Sequence, residues 1–253
     1  MGLFNLFSKK TNNIIKNKDI VKEIIFDDVA KQVLTKNQQK LKLLLEYFSQ
    51  VAFLWWWTAI ALQLWHRKSI DFDFFTDNIL YSYFDFEKIV TSFWLEIDKE
   101  SRELYRWIEQ EKQDEIHVKI NWVNFTIFNF YRTLYKDQKI NILWNSYILN
   151  WLKTASLEEL VCMKLYTMMT RNKWKDAVDL YFILKNKNYL LENLFKLSKK
   201  YFVWIFREDI VMETILAWDW DTSEKVEYIL KDFPKDEEII DFLKQEIINI
   251  MNK

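Results

Sequence analysis

Residues 53–76 read FLWWWTAIALQLWHRKSIDFDFFT, and they are the most informative part of the sequence. A short apolar run leads into three tryptophans, and residues 58–64 then follow a helical pattern. Residues 69–75 alternate in the manner of a strand, which places Asp71 and Asp73 on one face. The other face carries Ile70, Phe72 and Phe74. The stretch therefore predicts a strand, a tight turn, a helix and a second strand.

The two aspartates are candidate metal ligands. Carboxylates at positions i and i+2 of a strand can chelate one Mg²⁺ or bridge two, because hard cations prefer carboxylate oxygens. An exposed strand face gives the same spacing, so Asp71 and Asp73 alone are weak evidence. The preceding unit strengthens the metal interpretation. A turn of small residues at 55–57 and a helix beginning at Thr58 would present backbone N–H groups and a positive helix dipole to a phosphate.

The tryptophans are unusual in number and in position. The chain has 13 tryptophans and one glycine, whereas average usage predicts about 18 glycines at this length. Asn121-Trp122 stands between two β-rich runs, where Asn-Gly would give a type I′ hairpin turn with positive φ at both central residues. The triple indole at 55–57 also occupies a turn position. We interpret most of these tryptophans as glycines encoded by UGA and translated under another code. The alternative is a protein that is truly rich in tryptophan.

The composition is that of an ordinary globular protein. The 253 residues include 36 basic and 37 acidic side chains, so binding of nucleic acid along an extended surface is not expected. A local basic groove is still compatible with this composition. The lone Cys162 lies in an apolar helical pattern, which predicts a buried thiol and fits a reducing cytoplasm. The apolar run at 51–65 is too short to cross a bilayer. We expect no membrane span.

The pattern along the chain predicts an α+β fold, in which a strand-rich half precedes a helix-rich half. We expect a flexible lead-in at 1–18, a core with N-terminal helices at 19–150 and a helical domain at 151–253. The predicted strands are 52–54, 69–75, 103–108, 115–120, 123–130 and 146–149. Helices are predicted within 19–50, with a break near 35–37, and at 58–64, 86–93, 156–170, 174–185, 189–200, 207–217, 222–231 and 235–251.

Two motifs resemble a known family. Read with glycine at 56, 57 and 65, residues 56–75 resemble the first motif of the AbiEii-type nucleotidyltransferase toxins, which belong to the polymerase-β-like nucleotidyltransferase superfamily. The segment from Ser156 through Lys164 to Tyr181 resembles the family's helical lysine and its Lys-Asp-x-x-Asp-Leu signature. The motifs occur in the family's order, and weaker similarity runs from about residue 40 to 190.

The resemblance assigns roles to particular residues. It implies a small mixed sheet with flanking helices, completed by the helical C-terminal half. The implied Mg²⁺ ligands are Asp71 and Asp73. The implied catalytic partners from the helical half are Lys164 and Asp179. The implied nucleotide-binding residues are Trp56, Trp57, Thr58, Ser69 and Asp176. Arg67 suits a phosphate on chemical grounds, with a solvated loop as the equal alternative. Without the resemblance, Lys164 and Asp179 would be read as a salt bridge between two helices.

The resemblance also implies an activity. It implies a Mg²⁺-dependent transfer of a nucleoside monophosphate from an NTP to an acceptor hydroxyl, by the toxin of a type IV toxin–antitoxin pair linked to phage defence. tRNA is the candidate acceptor, and a cognate antitoxin is the expected partner. The alternatives are a catalytically inactive binding module and a nucleotide-binding regulator.

Two features depart from the family pattern. Strand 123–130 carries no acid where many related enzymes have a third carboxylate, so either Asp179 substitutes or metal binding is weaker. Indoles at 56 and 57 would also plug the nucleotide turn.

Overall fold

The computed structural model of the protein describes residues 28–76, 81–108, 111–129, 146–149, 151–187, 189–203, 205–217 and 219–252. The strands are β1 (Phe53–Trp55), β2 (Asp71–Thr76), β3 (Glu115–Ile120), β4 (Val123–Asn129), β5 (Ser146–Leu149) and β6 (Leu152–Ala155). The helices are α1 (Lys36–Gln39), α2 (Lys42–Phe48), α3 (Trp56–Leu64), α4 (Tyr83–Ser92), α5 (Lys99–Tyr105), α6 (Leu157–Met168), α7 (Trp174–Lys187), α8 (Leu191–Tyr201), α9 (Glu208–Ala217) and α10 (Asp236–Met251).

The six strands form one mixed sheet in the order β3-β4-β2-β1-β6-β5. β2 pairs with β1 in antiparallel and with β4 in parallel orientation, and β1 pairs with β6 in parallel. The strand that carries Asp71 and Asp73 therefore lies in the interior of the sheet. Because β6 precedes the helix-rich half directly, its pairing with β1 brings that half next to the β1–α3–β2 unit.

Aromatic side chains fill the core on one face of the sheet. Phe48 of α2 lies 5.9 Å from Phe74, 5.8 Å from Phe86 and 5.4 Å from Phe125, measured between ring centroids. All four rings are fully buried. Since Phe74 points into this cluster, its neighbour Asp73 points to the opposite face of β2.

Most of the sequence-based expectations for the fold are confirmed. The α+β class, the mixed sheet with flanking helices and the helical C-terminal part are present. Ser156 and Glu159 form a capping box that starts α6. The β3–β4 hairpin turns at Asn121 and Trp122, with φ values of 47° and 69°. Cys162 is buried.

The predicted strand at 103–108 is wrong, because α5 covers its first half. Asp98 caps that helix by accepting a hydrogen bond from the Ser101 backbone N–H at 2.8 Å. The helix packs on β3, where the Tyr105 hydroxyl accepts a hydrogen bond from the His117 backbone N–H at 2.9 Å. The Asp98 cap is a helix-start signal that the apparent β alternation concealed.

Two further expectations need correction. Residues 222–231 are not helical, because their backbone groups bond to other segments: Lys68 N–H donates to the Glu227 carbonyl at 2.8 Å, and Ile229 N–H donates to the His66 carbonyl at 3.1 Å. Ile70 does not share the buried face of Phe72, because β2 begins only at Asp71 and the Ile70 side chain is exposed.

The expected division at residue 150 falls between β5 and β6, which pair with each other. The expected lead-in at 1–18 lies outside the described residues. Within the described ranges, no helix combines the length and the apolar character needed to cross a membrane.

Candidate active site

The β1–α3–β2 unit forms one side of the site. α3 begins at Trp56, whose φ of 55° lies in the left-handed region, and its N-cap Trp55 supplies no side-chain hydrogen bond. The Thr58 hydroxyl lies 2.6 Å from the Ser69 hydroxyl and also donates to the Asp71 carbonyl. These bonds tie the first turn of α3 to the start of β2. The start of α3 and the aspartate strand are therefore held side by side.

Asp71 and Asp73 lie on the same face of β2, as the strand period requires. Asp71 Oδ1 accepts a hydrogen bond from Asn124 Nδ2 at 2.8 Å. Burial, followed by the negative charge of Asp71, raises the pKa of Asp73 to about 7, although a hydrogen bond from Thr126 opposes the shift. The pair therefore concentrates negative charge that a cation would neutralise.

The donor set fits a divalent cation in part. The β2–β4 register places Asn124 beside Asp71 and Thr126 beside Asp73. The residues of β4 next to the two aspartates are therefore neutral, and β4 supplies no third carboxylate there. No group of three or more His, Cys, Asp or Glu side chains suited to a metal occurs among the residues that the structure describes. The two carboxylates supply the hard oxygen ligands that Mg²⁺ prefers, and Mg²⁺ usually completes its shell with water and substrate phosphates.

A buried charge network joins the helical half to this unit. Lys164 of α6 is fully buried and donates to Asp176 Oδ1 at 3.0 Å and to Asp179 Oδ2 at 2.5 Å. Both aspartates belong to α7. The salt bridge between two helices is thus present, and it orients the Lys164 ammonium group.

Asp179 is the centre of that network. It accepts two hydrogen bonds from Arg67, from Nε at 2.7 Å and from Nη2 at 2.9 Å, and His66 Nε2 lies 2.7 Å from its Oδ1. Although burial alone would raise the pKa of Asp179, Arg67 and Lys164 hold it well below its usual range. Burial lowers the pKa of His66, against the opposing effect of Asp179. Asp179 therefore remains ionised and faces three basic side chains.

A pocket of about 420 Å³ opens beside these residues. Its lining includes the predicted site residues Trp57, Arg67, Ser69 and Asp71, together with Lys175. The opposite wall comes from residues 224–227, which precede the backbone bridge to Arg67. Arg67 is almost fully buried, so the alternative of a solvated loop is wrong for its side chain.

The other predicted site residues, Asp73 among them, lie outside the pocket lining. The Trp56 ring packs on Phe75 at 5.4 Å and on Phe128 at 5.5 Å, and its buried Nε1 has no hydrogen-bond partner among the described residues. Thr58 supports Ser69, as described above. Asp176 and Asp179 are fully buried behind Lys164, which reaches Trp57 from the side of the helices.

Sequence reasoning gave no role to several residues at the site. Asn124, Arg171, Lys175 and Glu224 are the main ones. Lys175 is the first residue of the Lys-Asp-x-x-Asp-Leu signature and Arg171 lies four residues before it, so their spacing from Lys164 was visible in the sequence. Asn124 and Glu224 could be found only from strand register and from the path of the chain after α9.

The chain is similar to known proteins in sequence and in fold. Residues 58–249 match the family described as "Nucleotidyl transferase AbiEii toxin, Type IV TA system". The chain is similar to the uncharacterized protein aq_aa25 of Aquifex aeolicus strain VF5, with 29% identity over 192 residues, covering 75% of this chain and 83% of that protein. Its fold is similar to that of JHP933 from Helicobacter pylori, with a TM-score of 0.53 and 15% identity, covering 87% of this chain and 94% of the other.

The family match spans most of the chain and includes α3 from Thr58 onward, the aspartate strand and the Lys164–Asp179 network. Family membership implies nucleotidyl transfer, a nucleotide substrate, an antitoxin partner and a type IV toxin–antitoxin setting. The chain belongs to the AbiEii family of nucleotidyltransferase toxins.

Proposed function

We propose that this protein transfers a nucleoside monophosphate from an NTP to an acceptor hydroxyl in a Mg²⁺-dependent reaction, with tRNA as the acceptor. A cognate antitoxin would restrain that activity in the cell, in a system directed against phage. One observation carries the proposal. Two carboxylates on an interior strand share a face beside the start of α3, and one of them, Asp71, lines a pocket together with Arg67 and Lys175.

The residues of the chain divide the work. Asp71 and Asp73 would hold Mg²⁺, which when bound offsets triphosphate charge and polarises the α-phosphorus. Ser69, held by Thr58, lies at the pocket wall close to Asp71. The ammonium group of Lys164 would stabilise the departing pyrophosphate, and Asp179 fixes its position.

We further propose that the tryptophans at the site are glycines in the native protein. Trp56, Trp65, Trp94 and Trp122 make up four of the five non-glycine residues with positive φ in the described part of the chain. A left-handed φ is uncommon for a bulky residue and costs about 1–2 kcal/mol. Trp65 and Trp94 follow helices α3 and α4, where glycine usually ends a helix. Intact-protein mass spectrometry of the native protein tests this, since each Trp-to-Gly difference lowers the mass.

The test of the activity uses protein in which the 13 tryptophans are replaced by glycine. Labelled NTPs, Mg²⁺ and total tRNA should give label transfer to RNA. Asp71→Ala and Lys164→Ala should each lower the rate by at least about a hundredfold, because they remove a metal ligand and a buried cation at the site. Lys196→Ala is the matched control, since Lys196 pairs with Glu192 on the solvated face of α8. Equal transfer by all variants would contradict the proposal.

A specific observation favours an inactive binding protein when the chain is made as written. The Trp57 ring lines the pocket and contacts Lys164, so an indole occupies space beside the catalytic lysine. Tight antitoxin binding without label transfer, by the chain with its tryptophans, would support that second function.

A further inference from the structure

Three cationic side chains converge on the ring of Trp57. The distances to its centroid are 3.2 Å for Lys164 Nζ, 4.3 Å for Arg171 Cζ and 5.8 Å for Lys175 Nζ. Cations are attracted to the face of an indole, but they bind phosphate oxygens more strongly. With glycine at position 57, the same three cations would surround an open space of the size of an indole.

Two of these cations are within reach of solvent. The side chains of Arg171 and Lys175 are 33% and 16% exposed, whereas Lys164 is fully buried. Arg171 uses Nε and Nη2 to hold Asp176, at 3.0 and 3.2 Å, which leaves Nη1 for another acceptor. Lys175 lines the pocket directly, whereas Arg171 lies behind the Trp57 ring, which lines it, so a glycine at position 57 would open Arg171 to a ligand in the pocket.

Around the Trp57 ring, four cations share three carboxylates in direct ion pairs, and Asp71 lines the pocket beside them. Lys164 and Arg171 share Asp176, and Lys164 and Arg67 share Asp179. Lys175 pairs with Glu224, and both residues line the 420 Å³ pocket. Lys173 also approaches Glu224, at 3.3 Å, but its other partner is Asp221 and it does not line the pocket. The geometry therefore favours an anion between Arg171 and Lys175.

We propose that Arg171 and Lys175 bind the triphosphate of the incoming nucleotide, and that Glu224 competes with the triphosphate for Lys175. The inference rests on the proposed function and adds the phosphate ligands of that site. The planar guanidinium group of Arg171 suits two phosphate oxygens at once, whereas Lys175 acts as a mobile point charge. Glu224 holds Lys175 at the pocket wall until the triphosphate replaces its carboxylate.

The experiment measures binding of inorganic tripolyphosphate by isothermal titration calorimetry in the presence of Mg²⁺. The starting protein is the full chain with Trp57→Gly, and the chain with all 13 tryptophans replaced by glycine is used in parallel. Arg171→Gln and Lys175→Gln should each weaken binding by about tenfold or more, because a charge-assisted hydrogen bond is lost. Glu224→Gln should tighten it, since the substitution frees Lys175 and removes a negative charge from the pocket.

Lys173→Gln is the matched control. It removes the same charge two residues from Lys175, from a side chain that shares Glu224 but lies outside the pocket lining, and it should leave the affinity unchanged. Thermal unfolding of every variant establishes that the proteins compared are folded. The chain with Trp57 in place should bind tripolyphosphate more weakly than Trp57→Gly.

The outcomes separate this inference from the proposed function. Unchanged affinity in Lys175→Gln, or weaker binding in Glu224→Gln, would overturn it even if NMP transfer is observed. The expected order of affinities supports it even if no acceptor receives a nucleotide, in which case the proposed transfer alone fails.

Discussion

At the scale of single residues, the clearest property of the site is the unequal environment of two neighbouring carboxylates. Asp71 has the Asn124 amide as a hydrogen-bond donor, whereas burial and the charge of Asp71 raise the pKa of Asp73 to about 7. Strand period alone predicted that both would share a face. The difference between them depends on the residues of β4, and the sequence does not reveal that register.

The raised pKa of Asp73 predicts a pH-dependent cost in stability. The folded protein holds this proton up to about pH 7, whereas the unfolded chain loses it near pH 3.8, the ordinary pKa of an aspartate carboxyl group. The free energy of unfolding therefore falls as pH rises through this window, and the loss is complete above it. Without Mg²⁺, Asp73→Asn should stabilise the protein at pH 8 by about 4 kcal/mol and have little effect at pH 4.

Urea unfolding of the two proteins at pH 4, 6 and 8 measures this difference. Added Mg²⁺ should stabilise the unsubstituted protein at pH 8 more than it stabilises Asp73→Asn, because the variant lacks one ligand. An equal gain from Asp73→Asn at all three pH values would show that the carboxyl group does not titrate in this way.

At the scale of elements, the residues of the turn correctly predicted the β3–β4 hairpin. An apparent alternation of polar and apolar residues wrongly predicted a strand where part of α5 lies. Asn121-Trp122 marked the β3–β4 turn because the residues on both sides alternate and the pair fits an Asn-Gly position. The segment 222–231 looked helical from its spacing, yet tertiary bonds to His66 and Lys68 determine its conformation. Local sequence pattern predicts elements whose backbone N–H and C=O groups form hydrogen bonds within the element. It fails where those groups form hydrogen bonds with a distant segment.

The hairpin gives a direct test of the glycine interpretation through stability. Trp122 is exposed and has a φ of 69°, so Trp122→Gly should raise the free energy of unfolding by about 1 kcal/mol. Trp107 is equally exposed but is absent from the residues with positive φ, so Trp107→Gly should give no such gain. Chemical denaturation measures both. A similar gain at the two positions would mean that removing any surface indole is stabilising, whatever the backbone conformation.

At the scale of the whole molecule, the Asp179 network joins parts of the chain that are far apart in sequence. Arg67 precedes the aspartate strand, Lys164 lies on α6 and Asp179 lies on α7. The resemblance selected Lys164 and Asp179, and chemical grounds selected Arg67, but the role of Asp179 as an acceptor shared by both cations is visible only in the fold. A metal ion that used Asp179 as a third ligand would have to compete for its carboxylate with Arg67, His66 and Lys164.

Loss of the Asp179 charge should therefore weaken the whole fold. Asp179→Asn leaves two buried cations short of a partner and should lower the free energy of unfolding by about 3–5 kcal/mol. Asp209→Asn removes the exposed partner of Arg207 and should change stability little. Differential scanning calorimetry compares the two. Equal, small shifts in Tm would show that Asp179 does not hold the halves together.

The wall formed by residues 224–227 has a consequence for how the toxin is made. Its backbone is anchored to the segment at 66–68 through Glu227, and Ile229 bonds to the same segment just beyond the wall. A ribosome that has synthesised the aspartate strand, α6 and α7 has not yet released the residues that form this wall. The nascent chain thus has no complete pocket until the segment after α9 has also been synthesised.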